Sequence, residues 1–365
     1  MEIKMEDKKR PFRPIPPGEI IKEELDARGW TQGDFAEITG KPLQAINAII
    51  AGKRAIIPET AILFSKAFKT SPEFWLNLES AYRLDMLHQG QHKVDIVSRK
   101  AKLYGIAPVK ELIKRGWIKA SESISRLEAE VMDFFGISDI ETPPSIATNF
   151  RRIIDTPALM AWVRKAEIEA RKMSCSKFDP NKFKQSIKQL PGFSASDTLT
   201  GQIPQKLCKL GIRIVFIPHL PQTRVDGAAF WLDNKMPVVA ISLRMDRADN
   251  YWFTLMHELA HLLESYRNNV SYIDNDIAGE PENKIEEKAN NTAHDMLIPP
   301  DSFKLFVKQN KPYFSRNVVI SFAQELGIHP AIVVGRLQYE ELIPYTHLRN
   351  LISKVRPVLS EYVKA

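Results

Sequence analysis

The run His257-Glu258-Leu259-Ala260-His261 constrains the folding of this chain more than any other feature of its sequence. Residues four apart lie on one face of an α-helix, so a helix through this run points both imidazoles the same way and places Glu258 beside them. With 8 His and 44 Asp and Glu among 365 residues, chance alone yields such a run about 0.02 times. Apolar residues surround the pair: Leu255, Met256, Leu259, Leu262 and Leu263. We therefore predict a buried helix that carries a polar site on one face.

A second helical pattern, IEEKANNTAHDML, supplies the carboxylate that such a site needs. Catalytic zinc sites use three protein ligands and leave a fourth position open. Glu286 is the predicted third ligand, and Glu287 is the alternative. Asn290 follows Glu286 by one helical turn, where it can hydrogen-bond a ligand histidine. The sequence thus predicts a Zn²⁺ site made of His257, His261 and Glu286.

Glu258 has a predicted role in catalysis, because the glutamate of such a run points at the water that a bound Zn²⁺ activates. We interpret it as the general base of a hydrolase. The sequence leaves open which side chain would donate a hydrogen bond to the transition state. The candidates are Tyr266, Tyr272 and His294, and a solvated or core position is the simpler interpretation of His294. A metal-bearing fold without protease activity is the alternative for the whole site.

The sequence pattern changes from helical to extended near residue 211. The segments GIRIVFIP, DGAAFWLD and MPVVAISLR are rich in β-branched and aromatic residues, which predicts three strands of a small sheet. Short helices bounded by Pro, Thr and Gly precede them. Two long helices and a last helical region, Arg316 to Lys354, follow. The predicted fold class is mainly α with one α+β unit.

The segment TQGDFAEITGKPLQAINAIIAGKR has the pattern of a helix-turn-helix, with Gly40 in the turn and Gly52 after the second helix. The second helix of such a motif lies in the major groove of DNA, with its early residues at the base edges. The residues spaced to face one core are Ala36, Ile38, Ile46 and Ile49. The motif therefore predicts a double-stranded DNA partner.

Two amide side chains, Gln44 and Asn47, are the predicted base readers, because an amide can pair with adenine at two atoms. Four other side chains are predicted to hold phosphates: Gln32, Lys41, Lys53 and Arg54. A module used only for protein contact is the alternative, since residues 1–60 hold ten Lys and Arg against ten Asp and Glu.

The net charge of +7 is concentrated in residues 91–126, which hold nine Lys and Arg against three Asp and Glu. A local basic excess is typical either of a phosphate-facing surface or of a solvated helix face, and the sequence leaves both open. The nine basic residues are Lys93, Arg99, Lys100, Lys102, Lys110, Lys114, Arg115, Lys119 and Arg126.

The compartment is expected to be the cytoplasm, without a membrane partner. The first seventeen residues carry charge throughout and lack the apolar region of a secretory signal, and no apolar run approaches the length of a spanning helix. Cys175 and Cys208 do not form a C-x-x-C pair, and we expect them to be ordinary, partly buried thiols.

The stretch from PIPPGEIIKEELDARGWTQ through INAIIAGKRAI resembles the HigA-type antitoxin branch of the XRE helix-turn-helix family, over about residues 14–85. Gly33 and Phe35 depart from the usual family pattern. The resemblance implies an operator DNA partner and a toxin partner, and a homodimer is left open.

The combination DGAAFWLD, MPVVAISLR, WFTLMHELAHLL and EEKANNTAHDMLIP resembles the ImmA/IrrE metallopeptidase family over about residues 200–300. The phrase from Glu286 to Ala293 is similar to the E-x-x-A-[DN] helix of gluzincin-type peptidases. The resemblance implies that His257, His261 and Glu286 are zinc ligands and that Glu258 is the general base. It also implies regulated cleavage of a repressor or antitoxin.

The predicted organisation has five parts. A flexible N-terminal tail covers 1–16, a five-helix helix-turn-helix domain 17–90, a basic helical connector 91–200, a gluzincin-like metallopeptidase domain with a small sheet 201–300, and a C-terminal helical region 301–365. We expect a transcriptional regulator that cleaves a protein substrate. The alternative is an antitoxin and repressor whose zinc domain is a sensor or scaffold.

Overall fold

The computed structural model describes residues 15–88, 92–141, 156–266, 272–275 and 284–363. The predicted tail, 1–16, lies outside this part except for its last two residues. Contacts divide the chain into two compact units, Met1–Arg99 and Lys100–Ala365.

The first unit contains five consecutive short helices within residues 17–88, as predicted. Local signals set their ends: the Thr31 hydroxyl accepts a hydrogen bond from the Asp34 amide, the Asp34 carboxylate accepts one from the Thr31 amide, and Gly40 ends the same helix in the left-handed conformation. A sixth helix, α6, His92–Ile106, runs across the division between the units. The five helices are α1 Pro17–Arg28, α2 Gln32–Thr39, α3 Leu43–Ile50, α4 Pro58–Phe68 and α5 Pro72–His88.

Aromatic rings fill the core between these five helices. Phe35, Phe64, Phe68 and Trp75 are buried, and neighbouring rings of this set lie with centroids 4.6 to 6.3 Å apart. Such offset and edge-on ring pairs add to the stabilisation from apolar burial. The aromatic cluster therefore joins α2 to α4 and α5, and α3 packs on the same core through Ile46 and Ile49.

The predicted core face of α2 and α3 is confirmed for three residues and wrong for Ile38. Ala36, Ile46 and Ile49 are buried, whereas Ile38 is 49% exposed. The two residues after Ala36 on a helix turn by about 200°, so Ile38 falls on the opposite side. Phe35 occupies the inner face instead.

The second unit is built around a four-stranded mixed sheet with the strand order β1-β3-β2-β4. β1 pairs in parallel with β3, while β2 pairs antiparallel with both β3 and β4. The three predicted strands are confirmed. They are β1 Arg213–Phe216, β2 Val225–Leu232 and β3 Met236–Ile241. The fourth strand, β4 Tyr272–Asn275, lies in a region predicted to be a polar loop, and that prediction is wrong.

Helices surround this sheet and make the fold mainly α, as predicted. After α6 they are α7 Val109–Lys114, α8 Ile124–Phe135, α9 Pro157–Arg171, α10 Pro180–Ser186, α11 Asp197–Gly201, α12 Ile203–Lys209, α13 Ala248–Ser265, α14 Lys284–Leu297, α15 Pro300–Asn310, α16 Arg316–Leu326 and α17 Pro330–Tyr339. Two 3₁₀ segments, Ile187–Ala195 and Arg349–Leu351, complete the set. The predicted last helical region is therefore shorter than expected, because α17 ends at Tyr339 and only a short 3₁₀ turn follows.

Both faces of the sheet are covered. Side chains at alternate positions, including Ala229, Trp231 and Val239, join the main core cluster with residues of α13. The intervening residues Ala228 and Phe230 are also fully buried, and α9 contacts the first three strands. Because side chains alternate along a strand, the sheet presents one face to α13 and the other face to α9. This packing fixes α13 firmly against β2.

The two cysteines are not free thiols, so that expectation is wrong. Cys175 and Cys208 form a disulfide across a sequence separation of 33 residues. The Ser176 amide also donates a hydrogen bond to the Cys208 carbonyl at 3.1 Å. The bond and this contact attach the segment before α10 to α12.

No single helix within the described ranges is long and apolar enough to cross a membrane; by length and composition alone, the sharply bent pair α16 and α17 passes the same test together.

Candidate functional site

The site begins with α13, which carries both histidines of the H-E-x-x-H run on one face. Their Nε2 atoms lie 2.9 Å apart. His257 and His261 are both buried, because α13 is held between the sheet and α14. The i, i+4 spacing therefore directs both imidazoles to one point, as the sequence predicts.

The helix α14 brings Glu286 to the same point. Its Oε2 atom lies 3.4 Å from Nε2 of His257 and 3.3 Å from Nε2 of His261. Buried Ala289 and Ala293 turn one face of α14 toward α13, and Glu286 lies on that face. Glu287, the alternative ligand, is exposed. The three ligand atoms thus form a compact cluster without Glu287.

The separations within this cluster fit a Zn²⁺ ion. Ligand atoms at about 2.0–2.1 Å from a tetrahedral zinc lie about 3.3 Å from one another. The three measured separations are 2.9, 3.3 and 3.4 Å. Two imidazoles and one carboxylate are a usual ligand set of catalytic zinc and leave the fourth tetrahedral corner for a reacting group.

Glu258 lies against β2 and depends there on a glycine. A Cβ atom built on Gly227 would lie 2.2 Å from Oε1 of Glu258 and 2.9 Å from its Cγ and Cδ atoms. Any side chain at position 227 would displace the buried carboxylate. Our interpretation of DGAAFWLD overlooked this residue, although an isolated glycine in a strand pattern signals close approach of another group.

A second overlooked feature is the ion pair between Asp226 and Arg244. The guanidinium donates two hydrogen bonds to the carboxylate, at 3.0 and 2.9 Å, and Asp226 is buried. Such bidentate pairs combine strength with fixed geometry. The pair anchors the strand end beside Gly227. Its partners are eighteen residues apart, at the start of DGAAFWLD and at the end of MPVVAISLR, and neither segment indicated that they pair.

Asn290 is buried on α14 one turn after Glu286. Its Oδ1 atom has no hydrogen-bond partner within the described residues, so this atom does not accept the hydrogen bond expected from a ligand histidine. The role assigned to Asn290 stays a prediction.

The candidates for a transition-state donor are dispersed. His294 packs between the rings of Phe253 and Tyr339, each centroid 4.5 Å away. Burial, together with the smaller effects of the charges of Arg336 and His257, lowers the pKa of His294 to about 3. His294 is therefore a neutral, packed histidine.

Among the described residues, no contact places Tyr266 or Tyr272 beside the cluster of His257, His261 and Glu286. Tyr266 directly follows α13 and lines a different cavity. Tyr272 lies in β4, and its side chain is outside the part of the chain that the structure describes.

In the first unit, the predicted base readers share one surface. Gln44 and Asn47 are exposed on α3, on the side opposite the buried Ile46 and Ile49. Leu43, at the start of α3, is 47% exposed beside them and is a further candidate that the helix-turn-helix pattern alone does not indicate. An exposed apolar side chain there is suited to contact a thymine methyl group. The outer face of α3 therefore has the chemistry of a base-reading surface.

The predicted phosphate contacts are placed around α3. Lys53 and Arg54 are exposed in the turn that follows the helix, whereas Gln32 and Lys41 are half-buried. Their contacts to DNA stay predictions.

Part of the basic segment serves the fold of the second unit. Arg115 donates hydrogen bonds to the carbonyls of Pro218 and His219 at 2.9 and 2.8 Å and pairs with Glu111. Lys102 forms an ion pair with Glu141. The side chain of Lys93 lies outside the described part of the chain. Because some of these basic side chains are already paired within the protein, the segment 91–126 does not present all nine positive charges to a partner.

Two family models match the chain, and they match the two places where these sites lie. Residues 21–75 match the helix-turn-helix family, and residues 208–338 match the IrrE N-terminal-like domain of the M78 peptidases. The chain is a helix-turn-helix regulator of the XRE type with an IrrE-like domain. The IrrE-like match includes α13 and α14 and continues through most of α17.

Sequence relatives of this helix-turn-helix regulator match a quarter of its chain or less. An uncharacterised HTH-type transcriptional regulator of Escherichia coli K12, YddM, is 37% identical over 68 residues, which are 19% of this chain and 72% of that protein. Virulence-associated protein A′ of Dichelobacter nodosus is 37% identical over 92 residues, which are 25% of this chain and 80% of that protein.

Solved structures similar to the regulator also match about a quarter of its chain or less. An addiction module antidote protein of a HigA family from Coxiella burnetii is 40% identical, covers 23% of this chain and 94% of its own, and has a TM-score of 0.22. The antitoxin HigA of Pseudomonas aeruginosa, solved with the higBA promoter, is 33% identical, covers 22% of this chain and 89% of its own, and has a TM-score of 0.22.

Proposed function

We propose that this regulator binds operator DNA through α3 and hydrolyses a peptide bond of a protein substrate at a Zn²⁺ ion held by His257, His261 and Glu286. The observation that carries the peptidase proposal is the convergence of three ligand atoms within 3.4 Å of one another, with Glu258 next to His257 in the chain. The IrrE-like match over the same residues supports it.

The proposed division of labour follows from the chemistry of the side chains. When bound, zinc supplies Lewis-acid chemistry, which acidifies water and polarises a scissile carbonyl. Glu258 accepts the proton of the attacking water and returns it to the leaving amine. Gly227 and the Asp226–Arg244 pair keep β2 close to the Glu258 carboxylate. His257, His261 and Glu286 hold the metal.

The proposed substrate is a repressor or antitoxin-type protein, and its cleavage would relieve repression. The test is to incubate the zinc-loaded regulator with the proteins encoded beside it and to search for new termini by mass spectrometry. Cleavage at a defined bond that requires zinc supports the proposal. Intact substrates with fully loaded protein would favour an antitoxin and repressor whose zinc domain is a sensor or scaffold.

Replacement of Gly227 by Ala is expected to impair cleavage by about the 10²-fold that a general base contributes. The new Cβ atom would overlap the Glu258 carboxylate and force it from its position. The ligand residues lie on other elements, so zinc stoichiometry should be unchanged. Cleavage rate and metal content measured together check this expectation.

A matched control for that variant is Gly105→Ala. A Cβ atom at Gly105, in α6, meets no atom within 4 Å. The control should therefore cleave at the parental rate, with stability equal to that of the parent or higher by up to about 1 kcal/mol. If Gly227→Ala cleaves at the parental rate, catalysis does not require the position of Glu258 against β2.

Asn47 is proposed to read a base, and Lys53 to hold a phosphate. Asn47→Ala should weaken binding by about 1–3 kcal/mol at the contacted base pair and relax specificity there. Lys53→Ala should weaken all sequences alike and reduce the salt slope by about one. Titrations on an operator and on single-base variants, at several salt concentrations, check both. If Asn47→Ala binds every DNA sequence as tightly as the parent does, α3 does not read the bases.

A further inference from the structure

A second cavity of the Lys100–Ala365 unit lies where β1 and β3 begin and β2 ends. It is an open pocket of about 500 Å³, and none of the proposed metal ligands lines it. Small-molecule sites typically occupy about 300–1,000 Å³. Arg213, the first residue of β1, lines this cavity together with Tyr266.

Arg213 is a mostly buried cation with no counter-ion among the residues that the structure describes. The residue is 9% exposed, and its Nε atom has no hydrogen-bond partner within the described residues. Burial alone lowers the pKa of the guanidinium, with no carboxylate acting on it, but the group still carries its charge at neutral pH. A buried charge without a partner is strongly unfavourable, so folded proteins pair such groups. An anion bound beside Arg213 would therefore neutralise a charge that no described carboxylate neutralises.

Other arginines of this unit show the contrast. Arg164 pairs with Glu167 at 3.0 Å, and Arg244 pairs with Asp226 at 2.9 Å. Among the described residues the unit supplies carboxylates to these two arginines and none to Arg213, so an anion from solution can fill this role.

The rest of the lining has the same sign of charge and adds aromatic rings. Lys177 and Lys235 are exposed on the lining, and no described Asp or Glu belongs to it. Phe178 and Trp231 lie edge to face with centroids 5.4 Å apart, and both line the cavity. The lining therefore carries three positive charges and no described carboxylate. A ligand with one carboxylate would neutralise only one of them, whereas a phosphate group carries nearly two negative charges at neutral pH.

We propose that this cavity binds a small molecule that combines a phosphate group with an aromatic ring, the chemistry of a mononucleotide. Arg213 holds the phosphate through its planar fork of donors, and Lys177 and Lys235 add charge. The ring of the ligand packs against Phe178, Trp231 and Tyr266.

The test is calorimetric titration of the intact protein with adenosine 5′-monophosphate, inorganic phosphate, adenosine and acetate at constant ionic strength. We expect the monophosphate to bind more tightly than inorganic phosphate, and adenosine and acetate to bind at least about tenfold more weakly than the monophosphate. Arg213→Met should weaken monophosphate binding by at least about tenfold, and Arg213→Lys by less, since it keeps the charge and loses the fork.

The matched control is Arg126→Met, which removes one exposed positive charge from α8 of the same unit and should bind as the parent does. Without ligand, Arg213→Met should melt at the parental temperature or above it, because it removes an unpaired buried charge. If Arg213→Met does not fold, Arg213→Lys and Lys235→Met are used in its place. Each is expected to bind adenosine 5′-monophosphate several-fold more weakly than the parent does.

Three results would overturn the proposal: parental affinity of the Arg213 variants for the monophosphate, no binding of monophosphate or phosphate at millimolar concentration, or acetate binding as tightly as phosphate. Zinc binding is measured in parallel and should be parental in every Arg213 variant. Failure of this proposal is thereby distinguished from failure of the proposed metal site.

Discussion

Glu286→Ala is expected to lose stoichiometric zinc binding while it keeps its fold. The carboxylate is one of three ligand atoms, 3.3 and 3.4 Å from the two imidazole nitrogens, and alanine leaves only the histidine pair. Loss of a group that merely orients a ligand costs about 10–100-fold in metal affinity, so loss of the ligand itself should cost more. Metal content after equilibration in a zinc buffer, and direct titration with zinc, measure the effect.

The adjacent glutamate provides a matched control. Glu287 has the same chemistry, lies one residue later on α14 and is exposed. Glu287→Ala should bind zinc as the parent does. Loss of zinc by this variant and retention by Glu286→Ala would make the neighbour the third ligand, and retention by both would mean that α14 supplies no ligand.

Thermal unfolding gives a second readout of the same experiment. A ligand that binds only the folded state stabilises it by about 2.7 kcal/mol at a hundred times its dissociation constant. Zinc should therefore raise the melting temperature of the parent and of Glu287→Ala. It should leave that of Glu286→Ala nearly unchanged, which separates loss of binding from loss of fold.

The sequence predicted the arrangement of the three ligand residues, although the choice between Glu286 and Glu287 depended on packing. The spacing of His257 and His261 alone directs two imidazoles to one side of a helix. The two glutamates differ by about 100° around α14. Burial of Ala289 and Ala293 decides between them, because Glu286 is on their face of the helix. The small residues on that face were the available signal.

The features that the sequence did not predict are tertiary. β4 has four residues, two of them polar, and pairing with β2 stabilises it as a strand. Ala36 and Ile38 lie about 200° apart on α2, so only one of them can face the core, and the packing of Phe35 and Ala36 leaves Ile38 exposed. In both cases the surrounding fold decides the outcome, since short segments have weak intrinsic preferences.

The second cavity could not be found from the sequence, because its lining comes from four separate segments. Residues near Cys175, at Arg213, from Trp231 to Met236 and at Tyr266 meet only after the sheet forms. Arg213 begins a strand pattern and looks like an ordinary polar flank. Its significance comes from burial without a counter-ion among the described residues, which only the folded chain shows.

Glu258→Gln separates the peptidase from the sensor or scaffold. Glutamine keeps the size of the buried side chain but cannot accept the proton that a general base must take. His257, His261 and Glu286 remain, so zinc content should be parental, and DNA binding should persist because α3 is untouched. Cleavage of the substrate should fall by at least the ~10²-fold that general-base catalysis contributes.

The matched control is Glu264→Gln on the same helix, two turns after Glu258 near its C-terminal end. Glu264 is exposed and pairs with Lys288 at 2.9 Å on the surface, where an ion pair contributes little. This control should cleave and regulate as the parent does. If Glu258→Gln keeps full regulatory output while Glu286→Ala loses it, the metal has a structural or sensory role. The function as an antitoxin and repressor is then favoured over the function as a peptidase, because a scaffold requires the zinc ligands but does not require a general base.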